Sequence, residues 1–347
     1  MRDHIFFIVL KTNCYEYIIV DIKKTTKIQE VNTMYPKYKP EGSLIHTPEN
    51  RTLTSTLAGL ERAMINGTVL EETALLCDSE MNLHFDLGGI QGILPREERL
   101  YCRPGEAQKD IAVITRVGKP VCFRVIGIDK ESGTPVAHLS RRRVQRDCIR
   151  EFLSTLTPGD LIRVKITHLE PFGAFADVGC GISALLPVDA LSVSRISHPR
   201  DRLCCGNFVW AAVKSVDRET GRLFLTQKEL LGTWEENAAL FTPGQTVAGT
   251  VRSIESYGIF VELMPNLAGL AELRPDTRDV EVGDTAAVFI KSIIPERMKI
   301  KLILIDTHQN IGEITPLRYF VDCENVPRMD RWRYSPECAG RVIETVF

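Results

Sequence analysis

Alternation of apolar and polar residues is clearest over residues 159–178. Ile162, Val164 and Ile166 share one face while Arg163 and Lys165 take the other, as a half-buried strand requires. Ala174, Ala176 and Val178 then alternate with Phe175 and Asp177. An aromatic residue out of phase with small apolar neighbours points away from the core, so Phe175 faces outward. Phe172, three residues earlier, falls on the opposite face by plain alternation. Gly173 between them permits the bulge or kink that brings both rings to one side. Two rings on an outward sheet face make a surface on which bases can stack.

The pattern recurs. Thr157-Pro158-Gly159 returns as Thr242-Pro243-Gly244, and Phe172-Gly173-Ala174-Phe175 as Tyr257-Gly258-Ile259-Phe260, at one common offset. In the first of these units a strand ends at the turn Gly179-Cys180-Gly181. Residues 182–186 make another strand, and 192–202 a polar loop. Residues 208–216 and 222–226 supply two more strands, joined by a turn over 217–221. Five short strands predict a small closed or nearly closed barrel. Leu223 and Leu225 face inward, leaving Arg222, Phe224 and Thr226 outward. In the second unit Ile300 and Leu302 face inward, leaving Lys299 and Lys301 outward. Between the units, residues 230–237 read as a short linker helix anchored by Trp234.

A degenerate copy precedes both. Residues 86–95 parallel 177–187 and residues 125–129 parallel 213–217, with Met81 and His84 at the aromatic positions. This copy reads as structural, as a protein-docking module, or as a weak RNA contact. It ends in Arg141-Arg142-Arg143-Val144-Gln145-Arg146, either a solvated linker helix or a phosphate contact. The tail from Asp306 interleaves charge with rings at Arg318-Tyr319-Phe320 and Arg331-Trp332-Arg333-Tyr334. Packing against the third repeat is expected of such large apolar groups, with an extension of the RNA surface as the alternative.

Composition narrows the chemistry. The chain has 347 residues and a net charge of −2, so any polyanion affinity must come from local basic faces and stacking rather than bulk charge. Its ten cysteines include no Cys-x-x-Cys pair and no Cys/His cluster with zinc spacing, and the vicinal Cys204-Cys205 reads as inert thiols. No metal, cofactor or small-molecule substrate is expected, and a reduced cytoplasm fits best. The apolar run at residues 5–10 is too short to span a bilayer, and no small-residue cleavage site follows. Residues 17–20 are also strand-length. The strand-and-turn pattern begins only after Met34, so Met34 reads as the physiological start; a small extra hairpin is the alternative. Residues 34–52 read as an extended arm, and Leu57, Leu60 and Met64 predict a helix over 54–64. Gly179-x-Gly181-x-x-Ala184 matches a loose dinucleotide fingerprint but lacks a following crossover helix. Asn66-Gly67-Thr68 fits a glycosylation sequon that carries no meaning in a cytoplasmic protein. Neither a P-loop nor a nucleophile elbow occurs.

These residues resemble the S-one-type RNA-binding domain, the OB-fold repeat of bacterial small-subunit ribosomal protein S-one. Gly159-Asp160, Phe172-Gly173-Ala174-Phe175, Asp177-Val178-Gly179-Cys180-Gly181, Leu185-Leu186-Pro187, His198-Pro199 and Val216-Asp217 with Gly221-Arg222 follow the family's order. The resemblance covers roughly residues 64–305 as three repeats. It implies a mainly-β chain of three tandem five-stranded OB-fold barrels, the first degenerate, joined by short helices. The expected boundaries are an extension and arm over 1–63, repeats at 64–145, 146–229 and 230–305, and a tail over 306–347. It further implies that Phe172 and Phe175 stack on bases with Asp217 and Arg222 beside them, and that Tyr257, Phe260 and Lys299 are their counterparts. Pro187 stands where the family often has a histidine, and Ile294 where the third repeat would carry the Asp. The implied function is a non-enzymatic, single-stranded RNA-binding protein acting on mRNA in translation, with the small ribosomal subunit as a partner. An RNA-processing or regulatory adaptor working off the ribosome is the alternative, distinguished by sedimentation with small subunits.

Overall fold

Strand β7 (Leu161–Glu170) realises the alternation and then breaks it. In the computed structural model, which describes residues 37–102, 114–131, 133–217, 221–273, 280–309 and 317–347, Ile162, Val164 and Ile166 are buried and Arg163 is exposed. The ladder to β8 (Gly173–Asp177) then slips between Ile166 and His168, so Thr167 is a bulge and His168, not Thr167, pairs with Phe175. With β9 (Ser183–Pro187), β10 (Phe208–Val216) and β11 (Leu223–Thr226), these strands close a barrel in the order β10-β11-β9-β8-β7. Its core joins Val164, Ile166, Ala174, Ala176, Leu186, Val213 and Leu225.

The third repeat closes the same way from β12 (Thr246–Glu255), β13 (Gly258–Met264), β14 (Leu267–Ala271), β15 (Thr285–Ile294) and β16 (Lys299–His308). Its slip between Val251 and Ser253 reproduces the one in β7. A second slip is common to all three repeats, between Val125 and Gly127, Val213 and Ser215, and Ile290 and Ser292. Such bulges increase local twist, which helps five short strands to close on themselves.

The first repeat is a curled six-stranded sheet instead of a five-stranded barrel. Its first strand is split into β1 (Leu70–Thr73), which pairs with β5 (Pro120–Asp129), and β2 (Leu76–Cys77), which pairs with β3 (Leu83–Leu87). The break falls at Ala74 and Leu75, where the other repeats carry their bulge. β4 (Ile90–Leu94) and β6 (Val136–Ser140) complete the sheet. The arm expected over 34–52 contains a helix, Pro48–Thr54, capped by the Thr47 hydroxyl and opened by a proline. A second helix, Leu57–Asn66, follows, and Gly67 ends it in a left-handed conformation (φ 60°). Leu53, Leu60 and Ala63 join the first sheet's core, so these helices pack with the first repeat and the boundary expected at residue 64 falls within one of them. The expected features at residues 5–10 and 17–20, and the start at Met34, lie outside the described residues.

The repeats are locked in series by a buried acid. Asp177 points out of its barrel but is only 2% exposed, because the segment before the first helix lies across it. Its Oδ2 accepts the Glu41 N–H at 2.7 Å and its Oδ1 accepts those of Gly179 and Gly181. Burial, with the Glu41 charge beside it, pushes the Asp177 carboxyl up to about 7. Glu41 in turn is gripped by Arg141, at 2.7 and 3.1 Å, and by Arg116 at 2.9 Å. Burial opposes its ionisation, but these two guanidinium groups hold its carboxyl below the ordinary value. Arg141 opens the helix Arg141–Glu151, so the first residue of the basic run is a buried structural cation, while Arg142, Arg143 and Arg146 are solvated.

Glu262, two residues after Phe260 as Asp177 is two after Phe175, has the equivalent role in the third repeat. It is buried against Arg202 of the second repeat's loop and accepts Arg252 Nε at 2.9 Å. Asn266 bridges to Val193 N, Lys228 O and Gly232 O. Trp234, on the helix Trp234–Ala238, is buried in the third core. The tail straps this junction from outside. Its Trp332 and Tyr334 enter the third core, whereas Tyr319 packs on the second barrel and its hydroxyl accepts the Trp210 N–H at 3.1 Å. The rings of the tail therefore pack on two repeats, not the third alone. Thr226, expected outward, is buried here as well, donating to Ala190 O and to Glu229.

Candidate nucleic-acid interface

Cross-strand register builds one row across the outer face of the second barrel. His168 pairs with Phe175, Phe175 with Leu185, Leu185 with Phe224, and Phe224 with Ser215. Phe175, Leu185 and Phe224 are half-buried while their chain neighbours are fully buried, as residues standing on an outer face must be. Phe172 lies on the turn just before β8 and is 55% exposed. Its ring meets that of Phe175 at 6.0 Å and 88°, edge to face.

Gly173 does not carry the bulge expected of it. The inserted residue is Thr167 on the partner strand, and Phe172 escapes alternation because it precedes the strand altogether. What Gly173 supplies is close approach: a Cβ there would stand 2.6 Å from Leu186 O.

The third barrel repeats the arrangement. Tyr257 is 64% exposed and meets Phe260 at 6.1 Å and 90°. A Cβ at Gly258 would lie 2.7 Å from Ala271 O, the same close approach. The row here runs Ser253, Phe260, Leu270, Lys301 and Ser292. Lys299 and Lys301 are exposed between buried Ile300 and Leu302, as alternation requires. In the first repeat the row is Leu76, His84, Ile93 and His138. Its His84 is tied to Asp78 at 2.8 Å, and no aromatic pair stands there.

Of the expected site residues, the structure brings Phe172 to Phe175 and Tyr257 to Phe260. Asp217 and Arg222 meet across the hairpin, where the Asp217 N–H donates to Arg222 O at 2.9 Å. By register Arg222 stands two residues before Phe224, at the Ser183 end of the face, while Phe172 stands at the Pro187 end. The phenylalanine row thus lies between that ring and this cation. Lys299 holds the Arg222 position in the third barrel, paired with Ile294.

Four residues of these faces escape a reading by pattern. Leu185 completes the row beside Phe224, which alternation already turns outward. Lys214 and Lys291 sit exposed at matching bulges, and their recurrence at the spacing that separates Arg222 from Lys299 is the signal that could find them. His168 escapes because strict alternation from Ile162, Val164 and Ile166 sends it into the core, and only the bulge turns it out.

Comparison with known proteins places the second barrel first. Residues 155–228, the second barrel, match the model of the S1 RNA binding domain. The small ribosomal subunit protein bS1 homolog of Bacillus subtilis is 29% identical over 236 residues, covering 66% of this chain and 59% of that protein. The small ribosomal subunit protein bS1 of Mycobacterium leprae is 32% identical over 245 residues, covering 67% and 49%; that of Rhizobium meliloti is 29% identical over 239 residues, covering 65% and 40%. The chain thus spans about half the length of the curated relatives it matches. It carries an S1 RNA binding domain in its second barrel and, over about two thirds of its length, is similar to bacterial small ribosomal subunit protein bS1.

Proposed function

We propose that this chain is a non-enzymatic protein that holds single-stranded RNA, acting on mRNA in translation in the cytoplasm. The observation that carries the reading is the right-angled ring pair, present in two consecutive barrels with the same separation and tilt. Exposed rings fixed on a rigid sheet stack on any unpaired base, whereas bases inside a duplex offer no free face. Arg222, Lys299 and Lys301 lie on the same outer faces to follow the phosphates, with Asp217 at the hairpin. Two barrels on one chain bind one strand more tightly than either alone, through effective concentration. The relatives' description as small ribosomal subunit proteins supports that subunit as a partner.

The test is fluorescence anisotropy with labelled single- and double-stranded RNA. Single strands should bind preferentially and weaken with salt. Phe172→Ala/Phe175→Ala should lose at least about tenfold in affinity, and Tyr257→Ala/Phe260→Ala about fivefold, following stacking energies of ~1–3 kcal/mol per base. Equal duplex binding, or ring variants that bind like the parent, would refute the reading. A regulatory adaptor acting off the ribosome is the second reading, since the same ring pairs would hold unpaired RNA equally well away from the subunit. Absence from small subunits in a sucrose gradient would select it.

A further inference from the structure

His168 lies outside the site as the aromatic pairs define it, yet it faces Phe175 directly. The Thr167 bulge puts it there, and the Thr167 hydroxyl donates to Phe175 O at 3.1 Å, tying the bulge to the strand that carries the ring. The imidazole is 62% exposed, and its Nε2 lies 2.7 Å from Glu170 Oε1, which fixes its orientation. Its plane is 25° from that of Phe175, with ring centroids 6.4 Å apart.

At 6.4 Å the centroids stand at the wide end of the roughly 4.5–7 Å range of paired rings. A flat base between two parallel rings needs about 6.8 Å, two stacking layers of ~3.4 Å each. A side-chain movement of about half an ångström by the exposed imidazole opens the pair to that width. Phe172, perpendicular to Phe175 at 6.0 Å, stands as a third wall.

We propose that His168 and Phe175 form a slot that takes one unpaired nucleobase between them, with Glu170 as the residue that positions the imidazole. The slot rests on the RNA-binding reading and deepens it: one base is sandwiched rather than stacked on a single exposed ring. It is confined to the second barrel, because Ser253 stands at the His168 position in the third and offers no ring.

The experiment compares an unstructured oligouridine of about ten nucleotides with an abasic strand of the same length and charge, by anisotropy at one ionic strength. His168→Ala should bind oligouridine about tenfold more weakly, following the loss of one stacking wall, and bind the abasic strand like the parent. His168→Phe, which keeps a ring, should stay within about twofold of the parent on oligouridine. Glu170→Gln should fall between the two. The histidine is exposed, so an unchanged thermal midpoint for His168→Ala separates this effect from misfolding. An equal loss on both strands would make His168 a phosphate contact and overturn the slot. Parent-like binding of oligouridine by His168→Ala, while Phe172→Ala/Phe175→Ala loses affinity, would overturn the slot alone. If the phenylalanine double variant also binds like the parent, the RNA-binding reading falls and the slot with it.

Discussion

The second and third barrels hold their ring pairs alike, at 6.0 Å and 88° against 6.1 Å and 90°. They differ along the row behind those pairs. His168 is replaced by Ser253 and Phe224 by Lys301, so two of four cross-strand positions change from a ring to a polar or cationic group. The ring pair is kept by backbone constraints, since a glycine at the start of the second strand must pass against a carbonyl and the preceding turn aims the first ring. The row carries no such constraint, because its side chains stand on the outer face and can be exchanged without disturbing the core. On the proposed RNA-binding reading, the second face would gain its affinity by stacking and the third more by charge, and the two should respond to salt differently.

Whether the faces work as one surface depends on the junction between them. Arg202 reaches from the second repeat into Glu262 beside Phe260, both groups almost wholly buried, and burial pulls the guanidinium below its usual value. Removing one member strands the other charge, although Arg252 remains to share Glu262. Arg202→Met should therefore lower the unfolding free energy of the third barrel by about 3 kcal/mol, read from the urea midpoint. Replacing both members, as Arg202→Met/Glu262→Leu, should restore most of the loss. A single variant that unfolds like the parent would mean that the barrels are not coupled and that the two faces bind as independent modules.

What can be read in the sequence follows from the range over which each cause acts. Period-two alternation is local, so Ile162, Val164 and Ile166, Ala174 and Ala176, and Ile300 and Leu302 are placed correctly from neighbours alone. The ring pairs and the two closed barrels that carry them are legible through repetition. Asp177 reads as an ordinary outward acid because its cover comes from Glu41 and Arg141, far away in sequence. The bulge at Thr167 is invisible because no glycine or proline marks it. The helix Pro48–Thr54 hides in a polar, proline-rich stretch even though Thr47-Pro48-Glu49 is a helix-start signal: a capping hydroxyl, a proline at the first position and an acid in the first turn.

The charge side of the comparison is tested by its salt dependence. Single-stranded RNA releases counterions as cations bind, and log K falls with log salt at about 0.7 per phosphate contact. Lys299→Ala/Lys301→Ala should therefore flatten that slope by about 1.4 while leaving the second barrel's stacking untouched, measured by anisotropy between low and moderate salt. An unchanged slope would place both lysines away from the phosphate path.

The smallest effect comes from moving a single charge between the faces. Phe224→Lys gives the second barrel the residue that the third has at that position. The side chain stands half-buried on the outer face, between buried Leu223 and Leu225, so the exchange leaves the core intact. It removes one apolar wall beside Leu185 and adds one cation, two changes of opposite sign. At low salt they should nearly cancel, leaving affinity within about threefold of the parent. As salt rises the cation is screened while the lost stacking is not, so the variant should weaken faster, with a slope steeper by about 0.7. Affinity alone would miss the exchange; the slope would report it. A variant with the parent's slope would show that this end of the row does not meet the phosphates, and the contrast between the two barrels would then rest on the His168 position alone.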